Sequence, residues 1–479
     1  MKFYPHILLA ANIIFAVAAG WHALLLKRDP RAALGWIAVI LVFPLIGPFL
    51  YFLFGINRVR TRARTLTLQS PLRIKFESES LAQGNEPFLT RISVLPEFSE
   101  LVKISDSITK RPLVGGNQIH ALHNGEQAYP AMIEAIERAE HSVYLSTYIF
   151  DTNKSGRLFI DALAGAMKRG LDVRVIIDGV GQYYSFPTAG MLLKRRGVHV
   201  VRFLPPRLIP PAIHINLRNH RKILTVDSQI GFVGGMNIGD RHLADNLNNS
   251  SRVVDIHFLL KGPVVGQMEE VFLEDWRFCT GDPLDKPIKV SNHTQINGTL
   301  CRTIVDGPNE DFDKYAQILM GIVSSAKHRI LIMTPYFLPS RELISAMRTA
   351  SLRGVDVRVI LPKKNNLPFV HWATRNLLWE LLELGIRIYY QPPPFVHSKL
   401  LVVDDYYVHV GSANIDPRSL RLNFELTVEV YDRAFAETLT GHFEKVLMQS
   451  TEIFLKDVDS RPLAARTRDA LAWLFSPYL

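Results

Sequence analysis

The segment HSKLLVVD, His397 to Asp404, has the form His-x-Lys-(four residues)-Asp, and GSAN, Gly411 to Asn414, follows it. An upstream segment, HRKILTVD from His220 to Asp227, has the same form and is followed by GGMN, Gly234 to Asn237. In both copies the histidine precedes the aspartate by seven residues and the asparagine by seventeen. One such match is a weak signal. Two copies with the same downstream Gly-x-x-Asn are a strong one, because chance must reproduce several fixed positions twice.

The duplication extends beyond the motifs. KRGLDVRVIID (Lys168 to Asp178) and LRGVDVRVILP (Leu352 to Pro362) nearly coincide as text. In each half a helical pattern leads into a β-branched, aromatic strand: AYPAMIEAIERAEH into SVYLSTYIF, and ILMGIVSSAKH into RILIMTPYF. Alternating helices and strands predict an α/β fold with a parallel or mixed sheet. The chain therefore reads as a duplicated domain, residues 113–290 and 300–455, with a tail at 456–479. Duplication can set two copies of a site around a pseudo-two-fold axis, so that one composite site uses a motif from each half.

His and Lys at i and i+2 face the same side of a strand. Two copies then present two imidazoles and two ammonium groups to one cavity, which suits a phosphodiester. Lys222 and Lys399 are expected to neutralise its non-bridging oxygens, with Asn237, Asn414 and Ser412 donating to the same oxygens. One imidazole can attack phosphorus while the other exchanges protons with the alcohols. A nucleophilic histidine needs an acceptor on its far nitrogen. Asp255 and Glu425, which follow the two Gly-x-x-Asn segments at similar intervals, are the expected orienting carboxylates. Asp227 and Asp404 complete the motifs, but their odd separation from the histidines points them to the opposite face. They are expected to bond backbone beneath the site. A zinc set of His214, His220 and His242 finds no support in Cys or HExxH spacing. His371 and His409 read as packing or surface residues, and Cys279 and Cys301 as ordinary thiols.

With 479 residues the chain exceeds one core, and its formal charge of +10 suits nucleic acid or an anionic membrane surface. Residues 7–26 and 32–54 carry no charge with His22 neutral, and each is long enough to cross a bilayer. They predict a transmembrane hairpin within residues 1–57, its second arm kinked or broken by Pro44 and Pro48. A signal peptide fits less well, because a second apolar segment follows at once. Basic residues at both ends favour cytoplasmic termini. Residues 58–112 read as a juxtamembrane linker. The run RFLPPRLIPPAIHI, Arg202 to Ile215, is either a rigid packed loop or a lip that enters the bilayer.

The paired motifs resemble the phospholipase D superfamily. RDPRAALGWIAVILVFPLIGPFLYFLFG, NLRNHRKI, MTPYFLPS, VGSANIDPRSLRLNFE and the ending FSPYL resemble, more closely, its bacterial cardiolipin synthases. The resemblance implies two α/β/α sandwich domains packed about a pseudo-dyad. It implies metal-free, cofactor-free phosphatidyl transfer from one phosphatidylglycerol to another, giving cardiolipin and glycerol. His220 would be the nucleophile and His397 the acid/base. Anionic phospholipids, the bacterial inner membrane and catalytic domains on its cytoplasmic side follow by the same resemblance. An oligomer stays open, and no nucleic-acid partner is expected. Gly235 departs from the pattern where the second copy has Ser412, and Val253 stands two before Asp255 where an aromatic residue is expected. Three other readings compete: a phospholipase D-type hydrolase, a tethered nuclease and a non-catalytic lipid-binding scaffold.

Overall fold

The computed structural model describes residues 4–27, 30–55, 94–206, 217–282, 298–307 and 313–476. Most of the proposed linker and most of the Pro-rich run lie outside the described residues.

In the first half the strands are β1 (Val114–His123), β2 (Ser142–Thr147), β3 (Asp172–Asp178), β4 (His199–Phe203), β5 (Ile223–Val226), β6 (Ile230–Gly234), β7 (Val253–Val254) and β8 (Ile256–Lys261). The second half supplies β9 (Thr299–Asp306), β10 (Arg329–Met333), β11 (Asp356–Pro362), β12 (Arg387–Gln391), β13 (Phe395–Val396), β14 (Leu400–Val403), β15 (Tyr407–Gly411), β16 (Glu425–Tyr431) and β17 (Thr451–Ile453). Fifteen of them form one sheet, ordered β17-β12-β11-β10-β14-β15-β16-β9-β1-β8-β6-β5-β2-β3-β4. Outward from the central antiparallel pair β1–β9, both halves run through the same succession of strands. β2–β3–β4 and β10–β11–β12 are parallel, so the sheet is mixed, as the repeated helix–strand pattern predicts.

Helices cover both faces. Val264–Thr280 and Arg433–Leu447 bury Val265, Met268, Phe435 and Leu439 against strands of both halves. On the other face the helices of each half build a separate core around Phe159 and Leu163, or Ile318 and Met347. Strands buried on both faces tend to be continuously apolar, as β14 (LLVV) is, whereas β16 (ELTVEVY) is buried throughout although it carries Glu425, Thr427 and Glu429. The expected linker ends earlier than the sequence suggests. Phe98, Leu101 and Val102 belong to the core of the second half, and their helix, Ser99–Thr109, packs there instead of lying at a headgroup surface.

At the amino terminus, helix Tyr4–Leu26 turns back into helix Pro30–Val42. The second arm does break at Pro44: a five-residue helix, Ile46–Leu50, and a π-helical turn, Tyr51–Gly55, follow. The break frees the Leu45 N–H, which donates to Asn12 Oδ1 at 2.8 Å. Ala23, Ile40 and Tyr51 close a small core, while Leu26, Leu34 and Leu41 stay 64–69% exposed. Among the residues whose side chains are described, no helix is long and apolar enough to cross a membrane.

The motif aspartates set the strand entries. Asp404 carries a positive φ of 51°, and its carboxylate accepts from the N–H groups of Lys327, His328 and Arg329 at 2.7–2.8 Å. Asp227 does the same for Glu140, His141 and Ser142. Each clamps the start of β10 or β2, at the far end of a four-residue strand from its histidine. They therefore belong to the scaffold and stand outside the reacting set with which the motif groups them. Asp404→Ala should cost about 2–4 kcal/mol of stability in chemical denaturation. The pH dependence of turnover by the folded fraction should not move; a shifted profile would contradict this placement.

Candidate active site

The motif histidines do not sit on strands. β5 and β14 begin at Ile223 and Leu400, after the lysines, so the His-x-Lys segments are lead-ins rather than strand faces. What fixes each lead-in is the opposite half. β13 pairs in parallel with β7, and the His397 N–H donates to Val254 O at 2.7 Å. On the other side the His220 N–H donates to Phe424 O, and the Phe424 N–H to Arg218 O, both at 2.9 Å. Each histidine is thereby registered against the residue just ahead of the other half's carboxylate.

The side chains cross accordingly. His397 Nδ1 lies 2.9 Å from Asp255 Oδ2, and His220 Nδ1 lies 3.0 Å from Glu425 Oε1. Asp255 and Glu425 thus take the orienting positions expected of them, but each serves the histidine of the other half. Glu425 is held by Ser412 Oγ at 2.5 Å, Ser419 Oγ at 3.0 Å and Asn423 Nδ2 at 3.3 Å. This corrects the expectation for Ser412, whose hydroxyl donates to Glu425 rather than pointing to a substrate oxygen. The Gly235 departure has a physical reason. A Cβ there would lie 2.5 Å from Asp255 Oδ2, so the shorter first-half carboxylate occupies the space that the Ser412 side chain fills in the second half.

Lys222 Nζ donates to His220 O at 2.7 Å, and Lys399 Nζ to His397 O at 2.6 Å. Lys399 also approaches both ring nitrogens of His397, within 3.1 Å. Asn237 uses its Oδ1 to accept from the Ile149 N–H, which leaves its NH2 unbonded among the described residues. Asn414 uses one N–H of its NH2 on Ser419 Oγ at 3.2 Å, and its buried Oδ1 has no partner. His242 is a buried acceptor for the Asn237 N–H, and His409 is buried beside Tyr407. Neither belongs to a metal-ligand group among the described residues.

Sequence reasoning missed the supports. Asp178, at the end of β3, accepts from the N–H groups of Val180, Gly181 and Asn219 and from Arg218, which fixes the approach to His220. Arg221 bonds Asp275 at 2.5 Å and the Glu425 carbonyl at 3.1 Å, tying a first-half helix to a second-half strand. One signal was available: a buried strand that ends in Asp178 where its copy ends in Pro362. The rings of Tyr148 and Tyr336 stand 5.5 and 6.3 Å from those of His220 and His397.

Burial sets the protonation states. Both imidazoles fall below their usual 6.5, His397 well below it, because burial disfavours the cation, with Lys399 adding to the fall at His397 and Lys222 at His220. Glu425 opposes the fall at His220. Burial brings Lys222 down to about 7 and Lys399 to about 8, against the pull of the two carboxylates. Burial raises Asp255, while Glu425 is held below its usual value by His220 and its hydrogen bonds, against its own burial. The resting site combines neutral imidazoles with cationic lysines that an anionic phosphodiester would stabilise.

Two segments, residues 132–276 and 319–447, match a family described as cardiolipin synthase, PLD-like domain. Residues 14–55 match one described as phospholipase D-nuclease N-terminal. A cardiolipin synthase of Geobacillus sp. (strain WCH70) is 32% identical over 459 residues, covering 95% of this chain and 90% of that protein. The major cardiolipin synthase of Bacillus subtilis (strain 168) is 30% identical over 485 residues, covering 100% and 98%. The crystal structure of phosphatidylserine synthase from Haemophilus influenzae Rd KW20 aligns with a TM-score of 0.62 at 14% identity, over 80% of this chain and all of that one, a likeness of fold.

Asp255→Asn should lower kcat by about 10²–10⁴-fold with KM little changed. In ring-nitrogen NMR it should disturb His397 and spare His220; the reverse pattern would sink the crossed arrangement. The pH profile of kcat/KM should have an acid limb below 6.5, as His220 protonates, and an alkaline limb between about 7 and about 8, as Lys222 and Lys399 lose charge. A rate still flat at about pH 9 would exclude the lysines as the source of charge.

Proposed function

Because the chain belongs to the cardiolipin synthase family of phospholipase D-like proteins, we propose that it joins two phosphatidylglycerol molecules into cardiolipin, releasing glycerol. The observation that carries the chemistry is the crossed pair of Nδ1–carboxylate contacts, which fixes both rings and directs both Nε2 atoms to one site. His220 Nε2 has no hydrogen-bond partner among the described residues, whereas His397 Nε2 shares the Lys399 ammonium at 3.1 Å. This supports His220 as nucleophile and His397 as the proton carrier.

His220 Nε2 attacks the donor phosphorus, and the bond to the glycerol oxygen breaks. His397, carrying a proton, gives it to that oxygen and is left neutral. The arriving phosphodiester charge raises the pKa of both histidines and favours the proton-loaded form of His397. Lys222, Lys399 and the free NH2 of Asn237 hold the non-bridging oxygens where charge develops. In the second step His397 takes the proton of the acceptor's terminal hydroxyl. The hydroxyl oxygen attacks phosphorus, and the P–N bond to His220 breaks. No step calls for a metal or cofactor.

The exposed apolar side chains of the first 55 residues support a hairpin that anchors the chain in the bacterial cytoplasmic membrane. Basic residues at Lys2 and from Arg58 to Arg64 favour catalytic halves on the cytoplasmic side.

Product analysis tests the reading. The full chain, in mixed micelles of phosphatidylglycerol with chelator, should give cardiolipin and free glycerol by mass spectrometry. Phosphatidic acid with glycerol would mean that water resolves the intermediate and that the chain is a hydrolase. Absence of both products would remove the reading altogether.

A further inference from the structure

Among the charges beside the site that differ between the halves is Asp151. In the first half the Asp151 N–H donates to Ile238 O, and in the second the Leu338 N–H donates to Ile415 O, at 2.9 and 2.7 Å. The parallel bridges Phe150–Ile238 and Phe337–Ile415 give the same register. Leu338 therefore stands where the first half has Asp151, and Arg418, three residues after Ile415, stands where it has Arg241. Arg241 is spent: it bonds the buried Asp151 carboxylate at 2.9 Å and lies over the Tyr184 ring. Arg418 has the apolar Leu338 at the matching position, and the charge near it is the buried Asp416, which stands where the first half has Gly239 and accepts from the Ser419 N–H. Arg418 is half-buried, and its guanidinium has no hydrogen bond or ion pair to any described residue.

Its neighbourhood is the site itself. Arg418 lies on the short helix Pro417–Arg421, between Asn414 and Glu425, and next to Ser419, which holds the Glu425 carboxylate. Its field reaches the Tyr148 phenol, whose ring is 5.5 Å from His220. A half-buried guanidinium with no hydrogen-bonded or ion-paired partner is costly unless an anion completes it, and a guanidinium fork fits a phosphodiester.

We infer that Arg418 binds the phosphodiester of the second, acceptor lipid, on the His220 side of the site. The inference rests on the reading above. Two phosphatidylglycerols bring two phosphodiesters, one that reacts and one that survives unchanged a glycerol's length from the attacking hydroxyl. The motif lysines serve the first, and Arg418 supplies a cation for the second. The chemistry is unaltered: the acceptor oxygen forms a bond to phosphorus, the P–N bond to His220 breaks, and His397 receives the hydroxyl proton. Arg418 chooses which hydroxyl arrives, an alcohol whose own carbon chain carries a phosphate in preference to water or a neutral alcohol. The pseudo-symmetric Arg241 is neutralised, so one flank of the site, and not both, would hold this second phosphate.

Two measurements test it. With phosphatidylglycerol as substrate, Arg418→Gln should lower the ratio of cardiolipin to phosphatidic acid by about ten- to a hundredfold, while glycerol release persists. Arg418→Lys should restore part of the ratio with a raised KM for acceptor. Equal loss of glycerol release and transfer in a folded Arg418→Gln protein would mark a structural residue and overturn the inference, as would an unchanged ratio. If that variant does not fold, the unmodified protein decides. Offered glycerol and glycerol 3-phosphate together as soluble acceptors, it should transfer phosphatidyl groups to the phosphate-bearing alcohol by preference. Equal use of the two would overturn the inference. Failure of the synthase reading has a different signature, because phosphatidic acid would then be the main product of the unmodified protein from phosphatidylglycerol alone.

Discussion

The structure turns on a pair of crossed contacts: each histidine takes its carboxylate from the opposite half. Two short parallel pairings, β7 with β13 and Phe424 with the run into His220, set that geometry in the backbone before any side chain is placed. The remaining architecture keeps those pairings aligned. The central β1–β9 ladder makes the sheet continuous across the halves, the helices Val264–Thr280 and Arg433–Leu447 pack over the join, and Arg221 bridges it. A displacement of one half against the other would break a backbone pairing and misdirect both imidazoles together, so precision at the site depends on sheet integrity.

Burial makes the arrangement reactive. Two lysines, two histidines and two carboxylates share a nearly dry space, and each is a partial solution to the desolvation of the next. The balance is uneven by design of the local packing. Glu425 has three hydrogen-bonding side chains besides His220, whereas Asp255 has one backbone N–H, a bare glycine beside it and a raised pKa. Near-identical motifs therefore sit in unlike electrostatic surroundings, which is the condition for two like groups to take different roles.

Much of this was legible in the sequence. Repetition of KRGLDVRVIID fixed the α/β class and the duplication, and the strands Asp172–Asp178 and Asp356–Pro362 begin and end where the text repeats. Motif spacing named the histidines and lysines, and parity removed Asp227 and Asp404 from the reacting face. Three features were not legible, each for a physical reason. Which carboxylate serves which histidine depends on a pairing between residues more than 140 apart, and intervals along one chain carry no record of it. Ser412 looked like a phosphate donor because a hydroxyl has no visible direction in text. Helix Ser99–Thr109 looked like linker because its apolar face is short and its partner core begins some two hundred residues later.

The crossed wiring also bears on how the chain is made. The chain is synthesised from its amino end, and first domains fold before later ones emerge. At that stage His220 and Lys222, on the lead-in to β5, and Asn237, just beyond β6, are present, but Phe424, which registers that lead-in, is not. The residue that fixes the ring of His220, Glu425, is more than two hundred positions away and not yet made. A nascent or truncated first half thus carries an unaligned imidazole and half a cradle. The ring of His220 is aligned only by completion of the polypeptide itself, so a half-made chain does not carry a finished site.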